Sequence, residues 1–152
     1  MDELTLRPLR AGDLARTMEI ASASPHAPHW PQAHYLSALD PAATPRRIAL
    51  AAERGGRLAG FAIVSLIPPQ AELESIAVAP EARRQGVGRG LLRALQSELK
   101  QQKVMELLLE VRASNHAALA LYAGLGFTQV AVRSRYYADP VEDAVLMNAP
   151  VG

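Results

Sequence analysis

Cysteine is absent from this chain of 152 residues. Its absence excludes disulfide bonds, thiolate metal sites and a covalent cysteine intermediate, so any group transfer that the chain performs is expected to be direct. Strong net charge is also lacking, because 16 basic and 15 acidic residues leave a formal charge of +1. Such a balance argues against a nucleic-acid-binding surface as the main function, although a local basic cluster lies between Arg83 and Arg93.

The chain also lacks a long apolar run. The longest run, over residues 58–69, is much shorter than the roughly 20 residues of a membrane-spanning helix, so we expect no membrane span. The acidic opening Met1–Glu3 and the alternating segment after it are unlike the apolar core of a signal peptide, so we expect a cytoplasmic protein. The length and a hydrophobic content of 49% predict one domain over residues 1–152.

Hydrophobic periodicity and turn residues predict an α+β protein with a central mixed sheet. The predicted strands cover residues 4–9, 48–52, 58–67, 72–78, 105–112, 128–137 and 143–147. The predicted helices cover residues 13–23, 31–40, 88–101 and 115–125, with Pro31 in the first turn of the second helix.

The segment ESIAVAPEARRQGVGRGLLRAL, residues 74–95, is the most informative part of the chain. A strand pattern ends at Val78, a loop follows, and three glycines precede a helical pattern that begins at Leu91. A helix start offers unpaired N–H groups and the positive end of the helix dipole, and glycines let an anion approach the backbone closely. The segment therefore predicts a phosphate-binding cradle.

The pattern around these glycines excludes two common phosphate-binding loops. A P-loop needs Lys and then Ser or Thr after its last glycine, and a dinucleotide fingerprint needs its third glycine at the position of Leu91. The residues fit instead the pattern [QR]-x-x-G-x-[GA] from Arg83 to Gly88. This pattern resembles the acetyl-coenzyme A (acetyl-CoA) loop of the GNAT superfamily of N-acetyltransferases.

The sequence downstream of the loop strengthens this resemblance. Four downstream sequence segments are similar to those of the ribosomal-protein alanine N-acetyltransferases, the RimI group. These segments are EVRASN, ALYAGLGF, RYY and, after it, EDAVLM. The resemblance covers about residues 72–147. It implies a mostly antiparallel GNAT sheet of about seven strands with about four helices. It also implies acetyl transfer from acetyl-CoA to an N-terminal alanine, on a protein such as a ribosomal protein.

The resemblance also assigns roles to two side chains. Glu110 would act as general base toward the amine, directly or through water, and Tyr122 would donate a proton to the departing thiolate. An ordinary thiol pKa near 8.5 and an ordinary phenol pKa near 10 would make that proton transfer close to balanced. The alternatives are a solvated strand glutamate, on the face opposite Leu109 and Val111, and a core tyrosine.

Further residues are expected to contact the two substrates. Asn115 is expected to cap a helix and to contact coenzyme A. The full set of expected cofactor contacts is Ile76, Ala77 and Val78 through their backbone, with Arg83, Arg84, Gln85, Gly86, Val87, Gly88, Arg89 and Asn115. The expected acceptor contacts are Trp30, Tyr136 and Tyr137, although a β-strand also favours tyrosines without any such role.

Three histidines, His26, His29 and His34, lie close together in a segment rich in Pro and Ala. No carboxylate or cysteine stands among them at a zinc-like spacing, so we expect no metal site. Glu74 is expected to be a solvated strand residue on the same side as Ile76. Two other functions stay open: a GNAT enzyme acting on a small amine, with residues 21–45 forming its pocket, and a coenzyme A-binding module without catalysis.

Overall fold

The computed structural model describes residues 3–138 and 140–151, and within these ranges the chain forms one seven-stranded sheet and four α-helices. Met1 and Asp2, part of the acidic opening that is unlike a signal peptide, lie outside the described residues. The strands are β1 (Leu4–Pro8), β2 (Arg47–Arg54), β3 (Arg57–Ile67), β4 (Gln70–Val78), β5 (Glu106–Arg112), β6 (Thr128–Tyr137) and β7 (Glu142–Pro150). The helices are α1 (Leu14–Ser22), α2 (Gln32–Leu39), α3 (Val87–Gln101) and α4 (His116–Gly124).

The strand order is β1-β2-β3-β4-β5-β7-β6, and every neighbouring pair except β4 and β5 is antiparallel. β3 is central, and its residues from Leu58 to Leu66 are all buried. Both faces of β3 are covered, because Gly60 faces Val87 of α3 whereas the next residue, Phe61, packs edge-on against Tyr35 of α2. The predicted α+β class and mixed sheet are confirmed.

The parallel pair β4 and β5 opens after three residues. Gln70–Glu72 pair with Glu106–Leu108, and from there β4 pairs only with β3 while β5 pairs only with β7. The facing edges of residues 73–78 and 109–112 therefore have no ladder partner within the described residues. This separation of two neighbouring strands creates the wedge in which the candidate site lies.

A β-bulge in β4 corrects one expectation from the sequence. Ile63 pairs with Ser75 and the next residue, Val64, pairs with Leu73, so Glu74 is the extra residue. Its carboxylate bonds to Nε of Arg47 at 2.7 Å, on the face that Arg47 shares with its partner Ser65. Ile76 pairs with Ala62 on the other face. Glu74 and Ile76 thus lie on opposite sides, because the bulge interrupts the alternation.

The element bounds differ from the predicted bounds mostly at their ends. β7 extends over Glu142–Pro150 because its residues 144–150 pair with β5 and Glu142 pairs with Tyr137 of β6, so that cross-strand bonds extend the strand beyond its own hydrophobic pattern. α2 begins at Gln32, so Pro31 is its cap and not a residue of its first turn. None of the helices in the described part of the chain is long and apolar enough to cross a membrane.

Candidate active site

A cleft of about 910 Å³ lies where β4 and β5 separate. Six parts of the chain line it: the loop after α1, most of β4, the glycine loop with the first turn of α3, the end of β5, the start and inner side of α4, and the end of β6. Three of the seven strands and the N-termini of two helices, α3 and α4, therefore meet in one concave space. We describe the half next to the glycine loop as the cofactor side and the half next to β6 as the acceptor side.

The glycine loop supplies free backbone donors at the start of α3. Gly86 is the N-cap residue and has a left-handed backbone with φ of +83°, which glycine adopts without strain. The first helical bond runs from Gly90 N–H to the Gly86 carbonyl at 2.9 Å. The N–H groups of residues 87–89 therefore have no helical acceptor in the described chain, which is the arrangement that binds phosphate oxygens.

Gly88 is the loop residue that faces the cleft directly. A Cβ atom at this position would lie 3.5 Å from Cδ2 of Leu121 and 3.9 Å from Cγ2 of Val78, which are ordinary van der Waals distances. Val87, by contrast, is 1% exposed, so its side chain belongs to the core and only its backbone can serve a ligand. The space above Gly88 is open because glycine has no side chain.

The remaining predicted cofactor residues divide into two groups. Arg83 lines the cleft, and its guanidinium donates to the carbonyls of Val78 at 3.3 Å and Ala23 at 3.2 Å, so it also ties the loop after α1 to β4. Arg84, Gln85, Gly86, Val87 and Arg89 do not line the cleft and form the adjoining loop and first turn. Gln85 accepts a hydrogen bond from Arg54 at 2.6 Å, which anchors this loop to β2.

The unpaired edge of β4 forms the floor of the cleft. Ile76, Ala77 and Val78 all line the cleft, and their backbone faces the gap between β4 and β5. Ser75 also lines it, is 3% exposed, and its hydroxyl has no partner within the described residues. Sequence reasoning did not select Ser75, because a serine within a strand carries no pattern of its own.

Glu110 lies on the acceptor side of the cleft, on the face of β5 opposite to the buried Leu109 and Val111. Its Oε1 atom lies 3.4 Å from Nη1 of Arg133. Glu72 lines the same cleft, and partial burial, then the nearby charge of Glu110, raises the pKa of Glu72. The sequence pattern did not indicate Glu72 or Arg133, because pairing between distant strands brings them to Glu110.

Tyr136 and Tyr137 also line the acceptor side, with ring centroids 5.2 Å apart. The nearby charge of Glu110 raises the pKa of the Tyr136 phenol. Arg112 lies over the Tyr137 ring, with its guanidinium carbon 4.2 Å from the centroid. The structure therefore brings the predicted acceptor tyrosines to the predicted base.

Tyr122 enters the cleft from α4 and is 5% exposed. Its ring packs 5.6 Å from the ring of Phe127, and burial raises the pKa of Tyr122 to about 12. Ordinary pKa values predict a nearly balanced proton transfer from the phenol to the thiolate. The raised pKa corrects this expectation, because the buried phenol is a weaker acid than a phenol with the ordinary pKa near 10. The phenol consequently stays protonated at neutral pH, and a thiolate buried beside it would have a raised pKa for the same reason.

Of two other predicted contact residues, one lines the cleft and the other does not. Asn115 lines the cleft and caps α4, because its Oδ1 atom accepts a hydrogen bond from the Ala118 N–H at 3.2 Å. Trp30 does not line the cleft and stacks on His34 with ring centroids 4.0 Å apart. The loop that does reach the cleft is residues 24–28, which include His26. Within residues 3–138 and 140–151, no group of three His, Cys, Asp or Glu residues could hold a metal ion.

The sheet with its separated β4 and β5 and the glycine cradle at the start of α3 define the GNAT class of acetyltransferases. The sequence model of the Acetyltransferase (GNAT) family matches residues 14–127, and the chain belongs to this family. It is an N-acetyltransferase that uses acetyl-CoA. The open N–H groups of α3, the unpaired β4 edge and the cleft volume fit this co-substrate.

Several relatives are similar to this chain. The ribosomal protein bS18-alanine N-acetyltransferase of Escherichia coli strain K12 is 47% identical over 100 residues, which are 64% of this chain and 68% of that protein. The N-alpha-acetyltransferase RimI of Mycobacterium tuberculosis is 39% identical over 127 residues, or 81% of this chain and 77% of the relative. The crystal structure of the ribosomal-protein-S18-alanine N-acetyltransferase from E. coli superposes with a TM-score of 0.87 at 37% identity, covering 99% of this chain and 95% of that one.

Proposed function

We infer that this chain transfers the acetyl group of acetyl-CoA to the N-terminal α-amine of a protein that begins with alanine or another small residue, such as a ribosomal protein. The observation that carries the proposal is the meeting of Glu110 and Tyr122 in one cleft. Glu110 comes from a strand on the acceptor side, and Tyr122 comes from a helix beside the cofactor side. A base and an acid on two sides of one space are what an amine and a thioester require.

The two side chains have complementary proton roles. When bound, acetyl-CoA supplies the acetyl group, whose bond to sulfur breaks as the amine nitrogen forms the amide. Glu110 accepts the proton that the nitrogen loses, directly or through water. Tyr122 donates its proton toward the sulfur, and because burial raises the pKa of Tyr122 to about 12, this proton is in place at neutral pH. Both protons are thereby accounted for.

The remaining residues hold the substrates. The backbone of Ile76, Ala77 and Val78 would pair with the amide groups of the pantetheine arm, as an added strand pairs with a sheet edge. The loop from Arg83 to Arg89 would hold the pyrophosphate, and Asn115 would contact the cofactor from the start of α4. Tyr136 and Tyr137 would flank the acceptor, whereas Trp30 would act only by shaping the loop of residues 24–28.

Proton chemistry supports an α-amine as the acceptor. An α-amino group has a pKa of about 7.7–8.0, so a useful fraction is neutral at pH 7.5, whereas a lysine amine with a pKa of about 10.4 is almost fully protonated. One carboxylate on a strand suits the removal of a single proton from such an amine. The names of the similar proteins from E. coli and M. tuberculosis describe the same acceptor class.

The test compares three octapeptides and a free polyamine in the presence of acetyl-CoA, with products measured by mass spectrometry. One has a free N-terminal alanine and no lysine, the second has a blocked terminus and an internal lysine, and the third has a bulky first residue. We expect acetylation of the first only. Comparable acetylation of the blocked peptide, or activity confined to free polyamines, would contradict the proposal. The cytoplasmic location stays a prediction from the sequence.

A further inference from the structure

Arg112 connects three parts of the acceptor side. It is the last residue of β5, two residues after Glu110, and its side chain is 20% exposed. Its Nη1 atom donates to Oε2 of Glu142 and to the carbonyl of Pro140, both at 3.3 Å. Its guanidinium carbon lies 4.2 Å from the centroid of the Tyr137 ring. A planar cation held in this way fixes the face of an aromatic ring.

Glu142 extends this connection to the start of α4. Its second oxygen, Oε1, accepts a hydrogen bond from the Ser114 N–H at 2.6 Å, and its side chain is 16% exposed. Hydrogen bonds from Ser114, with the charge of Arg112, lower the pKa of Glu142, so the carboxylate is ionised at neutral pH. Ser114 directly precedes Asn115, which caps the helix that carries Tyr122.

Tyr137 lies at the end of an irregular stretch of β6, where it pairs again with Glu142 of β7. Regular pairing between β6 and β7 is interrupted between Arg133 and Tyr137, and Arg135 has a left-handed backbone with φ of +54°. The Arg135 N–H bonds to Oδ1 of Asp143 at 2.9 Å instead of to a strand partner. A tyrosine at the end of such an irregular segment depends on side-chain contacts for its orientation.

We propose that Arg112 and Glu142 are positioning residues that hold the Tyr137 ring against the acceptor and keep it in register with the start of α4. The inference rests on the proposed function, in which Tyr137 flanks the acceptor. Arg112 contacts the ring and Glu142 acts through Arg112 and Ser114, so neither takes part in proton transfer. Loss of the Arg112 guanidinium weakens acceptor binding and leaves acetyl-CoA binding unchanged, because Glu142 still accepts the hydrogen bond from the Ser114 N–H.

The experiment uses Arg112→Lys, which keeps the charge but loses the planar stacking group. We expect the KM for an octapeptide with a free N-terminal alanine to rise about tenfold, with an unchanged KM for acetyl-CoA, because positioning errors act on one substrate only. In the background of Tyr137→Ala, the same substitution should add little, because the ring that it orients is gone. A similar rise of both KM values, or independent effects of the two substitutions, would overturn the proposal.

Arg7→Lys is the matched control for the loss of a partly buried paired arginine. Arg7 is 18% exposed and bonds to Asp13 at 2.8 Å and to Glu53 at 2.7 Å, far from the cleft. The Arg7→Lys substitution should lower the melting temperature and leave the KM values for the peptide and for acetyl-CoA unchanged. A rise in the peptide KM of this control, as large as that of Arg112→Lys, would show that arginine loss acts through general destabilisation and would overturn the proposal.

A second readout separates this inference from the proposed function. The chain has four tyrosines, so selectively labelled rings give few NMR signals to assign. Arg112→Lys should shift the Tyr137 signal and leave that of the buried Tyr35 in place. If the wild-type enzyme acetylates no peptide, the proposed function fails, and this signal alone decides the positioning role: an unmoved Tyr137 signal would overturn it.

Discussion

The two sides of the cleft are constructed in different ways. The cofactor side consists mainly of backbone: the open N–H groups at the start of α3 and the unpaired edge of β4. The acceptor side consists of side chains from different strands, among them Glu72, Glu110 and Tyr137. Backbone donors suit a ligand that every member of a family shares, and side chains suit an acceptor that differs from enzyme to enzyme.

This difference predicts how each side tolerates substitution. Backbone contacts are lost when a side chain fills the space above a glycine, while most neighbouring side chains can change with little effect. Side-chain contacts are lost one at a time, and each loss changes a different measured quantity, such as kcat, ligand affinity or pH dependence. The substitutions below test this comparison and are ordered from the largest expected effect to the smallest.

The largest effect is expected at the two residues that act on protons. Glu110→Gln and Tyr122→Phe should each lower kcat by about 10²- to 10⁴-fold, the usual consequence of losing a positioned acid or base. The affinity for acetyl-CoA, measured by calorimetry, should change little. Glu106→Gln is the control, because Glu106 lies on the same face of β5 but bonds to Gln70 and Asn148 outside the cleft. Near wild-type turnover of Glu110→Gln at neutral pH would assign the base to another group.

The next effect tests the backbone character of the cofactor side. Gly88→Val should weaken acetyl-CoA binding by about 100-fold or more, because its side chain would fill the space that a phosphate must enter. Gly88→Ala should weaken binding less while raising stability by up to about 1 kcal/mol, since its Cβ meets only ordinary contacts within a helix.

Gly90→Ala serves as the affinity control for these variants. Gly90 lies in the same helix, but its added Cβ would face Leu4 of β1 at 3.1 Å and not the cleft. Acetyl-CoA affinity should therefore stay at the wild-type value. Unchanged affinity in a folded Gly88→Val protein would show that the loop does not hold the pyrophosphate.

Asn115 tests whether a side chain on the cofactor side has two separable tasks. Asn115→Ala should cost about 1 kcal/mol of unfolding free energy, because the cap of α4 is lost, and should also weaken acetyl-CoA binding. Asn115→Asp keeps the cap but adds negative charge, so stability should be retained while affinity falls. Equal affinity of wild type and Asn115→Asp would mean that Asn115 is only a helix cap.

Glu72 gives a smaller effect with a defined pH dependence. Its folded pKa is raised above the unfolded value, so the stability linked to its protonation is present at low pH and is lost as the pH rises through the folded pKa. Glu72→Gln should melt slightly higher than wild type at pH 8, and the difference should vanish below about pH 4. Glu81→Gln should melt lower than wild type at pH 8, because hydrogen bonds from the Glu81 backbone and from Arg16 lower the pKa of Glu81. A Glu72→Gln protein that melts lower at pH 8 would contradict this reasoning.

The last prediction is that the turnover rate does not change with pH between pH 8 and pH 10 through ionisation of Tyr122. Because burial raises the pKa of Tyr122 to about 12, its proton is retained throughout the range from pH 8 to pH 10. Turnover with saturating substrates should therefore not decline over this range through ionisation of Tyr122. A decline in wild type that disappears in the residual activity of Tyr122→Phe would show that the phenol is more acidic in the working enzyme.

The local features of this chain were predictable from its sequence. The start of α3, the glycines before it and the alternation around Glu110 each depend on residues that are adjacent along the chain. The structure begins α3 at Val87, one residue before the predicted start, and places Glu110 on the face opposite the buried Leu109 and Val111. Phosphate binding by the glycine loop stays a proposal. The resemblance to the RimI group led to Glu110 and Tyr122, which do line one cleft. Their roles as base and acid stay a proposal.

Only the tertiary structure determined how the acceptor side is composed. The bulge at Glu74 puts Glu72 and Ser75 on the same face of β4, and Arg133 reaches Glu110 through the pairing of β6 and β7. Sequence periodicity predicts which face of a strand is buried, but it does not specify which residues of distant strands lie opposite each other. Burial likewise shifted the pKa of Tyr122, because desolvation depends on neighbours that only folding brings together.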